Sequence, residues 1–172
     1  RKRQLDRVRV FEIGRCFLRS ESGQPVAGFH QPMRVAALAA GSAQSEQWGS
    51  ATRSVDFFDL KSDVEALFPG EVLRFEAAVH PALHPGRSAR ILRNDSVVGY
   101  LGELHPRWAQ KYELGTAPVV FELELEALMA RPFPVFEEVS RYPAVVRDLA
   151  LVVADSVTWQ GLSDALRDAA PA

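Results

Sequence analysis

The chain has one cysteine, Cys16, in 172 residues. That excludes a disulfide framework and a cysteine-built zinc cluster, and it fits a reducing compartment. No apolar run is long enough to cross a bilayer, and no signal peptide is visible. No internal repeat is present. Positive charge is not in excess: Lys plus Arg number 20 against 22 Asp plus Glu, for a net charge of -2. Such a balance gives no global field for nucleic acid, although a local basic patch remains open. A narrower absence matters more. Residues 119–130 contain no glycine, no lysine and no arginine. What is present is ordinary for a globular chain, with 47% hydrophobic and 24% charged residues. The length suffices for one domain plus part of another. The first residues are Arg-Lys-Arg and the last are Ala-Pro-Ala, which reads as a segment of a longer protein.

The stretch 119–128 organises the rest. Val119, Phe121, Leu123 and Leu125 alternate with Val120, Glu122, Glu124 and Glu126. Side chains alternate across a strand with period two, so one face is apolar and the other carries three carboxylates. An antiparallel strand with one face on a core is expected, leading into helix-forming residues 127–130 before Arg131-Pro132. Residues 7–18 read as a strand apolar in both parities, hence a central strand covered on both faces. Residues 20–32 read as a loop and 33–40 as a second strand. Residues 41–53, with Trp48, form another loop.

The best helix is 56–68, with Phe57, Leu60, Val64, Leu67 and Phe68 on one face and a Lys61–Glu65 pair on another. Ser54 or Asp56 caps it, and Pro69-Gly70 stops it. Then follow a strand at 72–79, a loop at 80–87, and a hairpin of 88–93 with 97–103 around Asn94-Asp95-Ser96. A helix at 106–114 starts on Pro106. The stiff Arg-Pro-Phe-Pro run makes 132–139 a linker between a domain at 1–131 and a second segment at 140–172. That segment offers a strand at 147–153 and a helix at 158–169. The fold class is α+β, a mostly antiparallel sheet with helices packed on it.

Several residue sets carry chemistry, each with a plainer reading. Glu122, Glu124 and Glu126 can bind a hard cation, but a solvated strand face needs no ligand. His80, His84 and His105 each precede proline, and no cysteine is near, so turn roles are favoured over zinc. Glu103 and His105 resemble an acid/base pair, yet i and i+2 on a strand share a face automatically. Trp48, Trp108 and Trp159 read as core or interface residues, and Cys16 as a small buried apolar one. Arg1, Lys2, Arg3, Arg7 and Arg9 read as a solvated basic face or a phosphate contact.

Five segments together resemble one family. They are Phe11-Glu12-Ile13-Gly14-Arg15, the run Val55-Asp56-Phe57-Phe58-Asp59-Leu60-Lys61, and the run His84-Pro85-Gly86-Arg87-Ser88-Ala89. The others are 99–106, Gly-Tyr-Leu-Gly-Glu-Leu-His-Pro, and 141–150, Arg-Tyr-Pro-Ala-Val-Val-Arg-Asp-Leu-Ala. In this order they are similar to the C-terminal third of the bacterial phenylalanine–tRNA ligase beta subunit. The resemblance implies a class II aminoacyl-tRNA synthetase-like antiparallel sheet flanked by helices, followed by a truncated ferredoxin-like anticodon-binding domain. It also implies a cytoplasmic enzyme of two alpha and two beta subunits, with the aminoacylation site on alpha.

A class II site binds ATP partly through a strand–helix motif, Gly-x-Gly-x-Glu-Arg, because phosphates need arginine and close backbone approach. Laid on this chain, Glu122 and Glu124 stand at the glycines, Glu126 at the glutamate and Ala127 at the arginine. A second class II motif falls on 11–18, where Arg15 and Arg19 are nearby. The expectation is therefore a synthetase-like module with no catalytic, ATP-binding or metal residues and no cofactor of its own. The holoenzyme is expected to use ATP and Mg2+. The expected partners are the alpha subunit and tRNA(Phe), with no membrane, and Arg141 and Arg147 are the tRNA-binding candidates. Self-association of the segment stays open. The alternatives are a free-standing RNA-binding paralogue and an independent enzyme whose cleft is lined by Arg15, Glu103 and His105. Residues 140–172 supply one strand and one helix where a ferredoxin-like fold needs four and two, so no independent core is expected there.

Overall fold

The computed structural model describes residues 6–19, 25, 26, 28–130, 136, 143 and 145–169. The chain divides into two compact units, Arg1–Arg131 and Pro132–Ala172. The first is built on six antiparallel strands: β1 (Arg7–Arg15), β5 (Met33–Gly41), β6 (Arg74–Ala77), β7 (Leu83–Arg93), β8 (Ser96–Leu104) and β9 (Val119–Glu124). Their order across the sheet is β1-β5-β9-β8-β7-β6. Three two-residue strands, β2 (Leu18–Arg19), β3 (Pro25–Val26) and β4 (Phe29–His30), form a small separate sheet. Helices α1 (Phe57–Ala66), α2 (Pro106–Lys111) and α3 (Leu125–Met129) complete the unit.

The alternation in β9 places Val119, Phe121 and Leu123 in the core, at 1%, 6% and 0% exposure, against Leu60, Val64 and Phe68 of the α1 segment. Partner residues in register share a face. Ala39, Ala37 and Val35 of β5 and Leu101 of β8 therefore join the same layer, with Ile91 of β7 beyond them. Helix α1 starts where Asp56 Oδ1 accepts from the backbone N–H of Phe58 and Asp59, at 2.8 and 3.1 Å. Asp59 returns the bond by accepting from the Asp56 N–H at 2.8 Å, which completes a capping box. Lys61 and Glu65 pair at 2.5 Å one turn apart.

The β7–β8 turn is two residues, Asn94 and Asp95, both at positive φ (49° and 61°) as the primed hairpin turns require. Asn and Asp tolerate that region better than other side chains. Gly99 is required by close approach: a Cβ there collides with the Glu122 carbonyl and the Leu123 side chain.

Several expectations are corrected. The strand at 7–18 stops at Arg15, and β1 is the sheet's edge rather than a doubly covered centre. Val10, Phe11 and Ile13 are accordingly exposed, because apolar residues in both parities also arise where an edge awaits cover. The loop at 80–87 is mostly strand. β7 begins at Leu83, and its pairing with β8 is irregular between Leu83 and Ser88, where Pro85 escapes the ladder. The 119–126 strand ends at Glu124, so Leu125 and Glu126 belong to α3 and the row of three carboxylates is broken. Helix α2 ends at Lys111. Trp48 is fully exposed, Trp159 is 76% exposed, and Cys16 is only half-buried, so none of these three is core.

In the second unit the described residues form one helix, α4 (Trp159–Ala169), whose first turn is tied by Gly161 N–H donating to Thr158 Oγ1 at 3.1 Å. The expected strand at 147–153 is absent. A strand's N–H and C=O groups need a neighbouring strand, and no strand occurs among this unit's described residues. Leu149, Leu151, Val152 and Val153 are exposed, and α4 buries no residue.

Candidate functional site

The first unit's sheet has one face under α1 and α3 and an opposite face that carries a cavity of about 500 Å³. The same register that buries Phe121 turns Val120 and Glu122 to this open face. Val120 stands beside Leu38, which stands beside Val10. In the next row Glu12, Ala36, Glu122 and Tyr100 lie side by side on four successive strands. Chain 78–82 adds His80, whose ring lies 4.9 Å from that of Tyr100. The walls are thus aliphatic and aromatic, with Glu12 and Glu122 as the charged groups. Among the lining residues there is no lysine or arginine.

Glu122 is paired with Arg34 of β5. Further along the row, Arg90 and Glu76 pair at 2.6 Å. The backbones of Glu12 and Glu122 stand two strand spacings apart, about 9.6 Å, too wide for both to share one ion without large side-chain rearrangement. Among the described residues no group of three or more His, Cys, Asp or Glu is placed to hold a metal. Phosphate fits poorly: Glu122 already occupies Arg34, and a phosphate oxygen about 4 Å from the Glu12 carboxylate is opposed by about 4 kcal/mol at an effective dielectric of about 20.

Of Glu122, Glu124, Glu126 and Ala127, the residues laid on the strand–helix motif, only Glu122 lines the cavity, and the second motif's stretch adds Phe11 and Glu12. Glu124 is exposed at the N-cap of α3 and makes no side-chain cap bond. Ala127 packs on the helix-backed core, so it and Glu122 serve opposite faces. Arg15 ends β1 opposite Met33, and Arg19 lies in β2; both are exposed. Glu103 is forked by Arg87, at 3.0 and 2.9 Å, and not joined to His105. His105 caps α2 by accepting from the Arg107 N–H at 3.1 Å. His80 and His84 do the same locally, with Nδ1 accepting from Ala82 N–H at 3.3 Å and Gly86 N–H at 3.0 Å. Each histidine spends a ring nitrogen on its own turn. Arg15, Glu103 and His105 therefore line no common cleft.

Arg9 is paired with Asp63 at 2.5 Å, and Arg7 donates to the Ala43 carbonyl at 3.4 Å. Arg1, Lys2, Arg3 and Arg141 lie outside the described residues, while Arg147 is exposed on irregular backbone. The displaced acidity is elsewhere: the Arg53 guanidinium, bonded to Asp59 at 2.6 and 2.7 Å, holds that carboxyl down at about 2. This belongs to the α1 cap. The Tyr100–His80 wall escaped sequence reading because it needs chain 78–82 folded back over the sheet, which no local pattern announces.

Residues 1–125 match the family model described as the phenylalanyl tRNA synthetase beta chain CLM domain. The phenylalanine–tRNA ligase beta subunit of Aromatoleum aromaticum is 59% identical over 171 residues, which is 99% of this chain and 22% of that protein. That of Dechloromonas aromatica is 54% identical over 166 residues, 96% of this chain and 21% of the relative. The chain thus spans about a fifth of the length of the curated relatives it matches. Among solved structures, a pyrrolysyl tRNA synthetase of Desulfitobacterium hafniense superposes with a TM-score of 0.48 at 15% identity, covering 74% of this chain and 42% of the other.

Proposed function

Because the chain belongs to the phenylalanyl-tRNA synthetase beta-chain family, we propose that it is a non-catalytic, class II synthetase-like module of a phenylalanine–tRNA ligase. In this reading the ligase joins phenylalanine to tRNA(Phe) in the cytoplasm with ATP and Mg2+, and an alpha subunit performs the chemistry. This segment packs in the assembly and helps to place the tRNA. Residues 140–172 open a ferredoxin-like anticodon-binding domain, in which Arg141 and Arg147 contact RNA.

The observation that carries the non-catalytic reading is the charge of the open-face cavity. Glu12 stands there with no lysine or arginine among the lining residues, and the Glu122 carboxylate already occupies Arg34, the cation beside it. ATP brings several negative charges that a nucleotide site must neutralise. The coarser support is an antiparallel sheet backed by helices on one face, which is the α+β arrangement a class II-like module needs.

The test uses the assembled holoenzyme and the beta subunit alone. Calorimetry with Mg-ATP is expected to show no saturable micromolar binding to the beta subunit, and Glu122→Gln in the holoenzyme is expected to leave aminoacylation turnover within about twofold. Saturable ATP binding by the beta subunit, abolished by Glu122→Arg, overturns the reading. So does undiminished assembly and aminoacylation after residues 1–131 are deleted.

A further inference from the structure

Two sets of cations stand apart among the described residues of the first unit. Arg9, Arg34, Arg53, Lys61, Arg74, Arg87, Arg90 and Arg93 all face carboxylates. Helix α2 carries a different arrangement. Arg107 and Lys111 sit four residues apart, on one side of the helix. Neither has a carboxylate partner among the described residues. Instead the Arg107 guanidinium lies 4.6 Å from the Trp108 ring centroid, and the Lys111 ammonium lies 5.2 Å from the same ring. The Arg107 guanidinium also donates to the Pro81 carbonyl at 2.9 Å, which holds the head group in place without neutralising it. Tyr112 follows at the C-cap, 61% exposed, its ring stacked toward Trp108 at 6.3 Å with Lys111 5.9 Å away.

Two preset cations and an exposed ring suit a particular chemistry. A cation–π contact orders a side chain and leaves its full charge for an incoming anion. Aromatic rings interleaved with cations are how proteins hold RNA whose bases are splayed out, through phosphate contacts and stacking. Glu103, just before α2, does not neutralise these cations, because it is already taken by Arg87.

We propose that α2 is an RNA contact of this chain, where Arg107 and Lys111 hold tRNA phosphates and Tyr112 stacks on an unpaired base. The proposal rests on the reading that the chain works within a tRNA ligase, and it adds a contact site in the first unit, apart from Arg141 and Arg147.

The test titrates labelled tRNA(Phe) with holoenzyme, wild type and Arg107→Ala/Lys111→Ala, across a salt series. The slope of log K against log salt is expected to fall by about 2, roughly one per lost cation. The KM for tRNA should rise about tenfold or more, while the KM values for ATP and phenylalanine in pyrophosphate exchange stay unchanged. Tyr112→Ala should weaken tRNA binding severalfold and Tyr112→Phe should restore it, because the ring is what stacks. Melting curves of the variants should match wild type, since the substituted side chains are exposed. An unchanged salt slope and unchanged KM for tRNA overturn the proposal. So does loss of alpha–beta assembly in Arg107→Glu/Lys111→Glu, seen by sedimentation, which makes the surface a subunit contact. None of these outcomes bears on ATP binding at Glu122, so failure here and failure of the non-catalytic reading are separable.

Discussion

Residues 119–124, Val-Val-Phe-Glu-Leu-Glu, and residues 149–153, Leu-Ala-Leu-Val-Val, are both rich in strand-forming side chains. The first is β9, third in a six-stranded sheet and hydrogen-bonded on both sides. The second is irregular, with Val152 fully exposed and Leu149 69% exposed. The difference is not composition. A strand is a cooperative object whose backbone groups are satisfied only by its neighbours. β9 has β5 and β8 beside it, and an apolar layer from α1 beneath. Residues 149–153 have no strand partner among the described residues, so strong propensity yields extended chain and no ladder.

Amide hydrogen exchange gives the broadest test. The amides of Phe121 and Leu123 should exchange near the rate set by global unfolding, and those of residues 149–153 should exchange orders of magnitude faster. Equal protection of both stretches in a dilute monomer would remove the contrast. Side-chain truncation should follow the same division. Leu123→Ala, at a fully buried position, is expected to cost about 2–5 kcal/mol in urea unfolding. Val152→Ala, fully exposed, should stay within about 0.5 kcal/mol.

The β8–β9 seam supplies a sharper probe. At Gly99 a Cβ meets the Glu122 carbonyl and the Leu123 side chain, so Gly99→Ala must push two strands apart. A cost of about 1–3 kcal/mol is expected, the range for overpacked cores. Gly161→Ala in α4, where the added Cβ approaches only Thr158 Oγ1 at 3.5 Å, should instead be neutral or mildly stabilising.

The α1 cap gives a smaller loss than Leu123→Ala or Gly99→Ala, and a pH signature. Asp56→Ala is expected to cost about 1 kcal/mol. Asp59 is held at about 2, below its ordinary 3.8, first by its bond from Arg53. A carboxyl whose folded value is depressed stabilises the fold at pH above its unfolded value. That contribution is lost as pH falls from about 4 to about 2. Arg53→Ala should flatten this acid limb of the stability profile and leave stability differences unchanged between pH 6 and 8. A limb equally steep in the variant would assign the acid sensitivity to other carboxylates.

Local rules made much of this legible. The 3.6-residue spacing of Leu60, Val64 and Phe68 and the Asp56 signal located α1 and its capping box. Asn94-Asp95 marked the hairpin, Pro106 marked α2, and alternation in 119–124 identified the buried residues of β9. Boundaries were less legible, since Leu125 and Glu126 continue the alternation yet turn into α3. The site was legible only in part. Glu122 was marked by chemistry and does reach the cavity, but Ala127, marked by the same motif spacing, faces the opposite side of the sheet.

The sequence by itself determined the periodicities, the caps, the turns and the family of this protein, because those depend on residues within a few positions of one another or on identity along the chain. Only the tertiary structure decided which strands neighbour which. That order put β1 at an edge with Phe11 bare, set His80 against Tyr100 across the open face, and gave Arg9, Arg34, Arg87, Arg90 and Arg93 carboxylate partners from distant segments while Arg107 and Lys111 lie against aromatic rings with no carboxylate partner among the described residues. Pairing order is a choice among long-range contacts of similar local cost, and the burial of one shared apolar layer selects it.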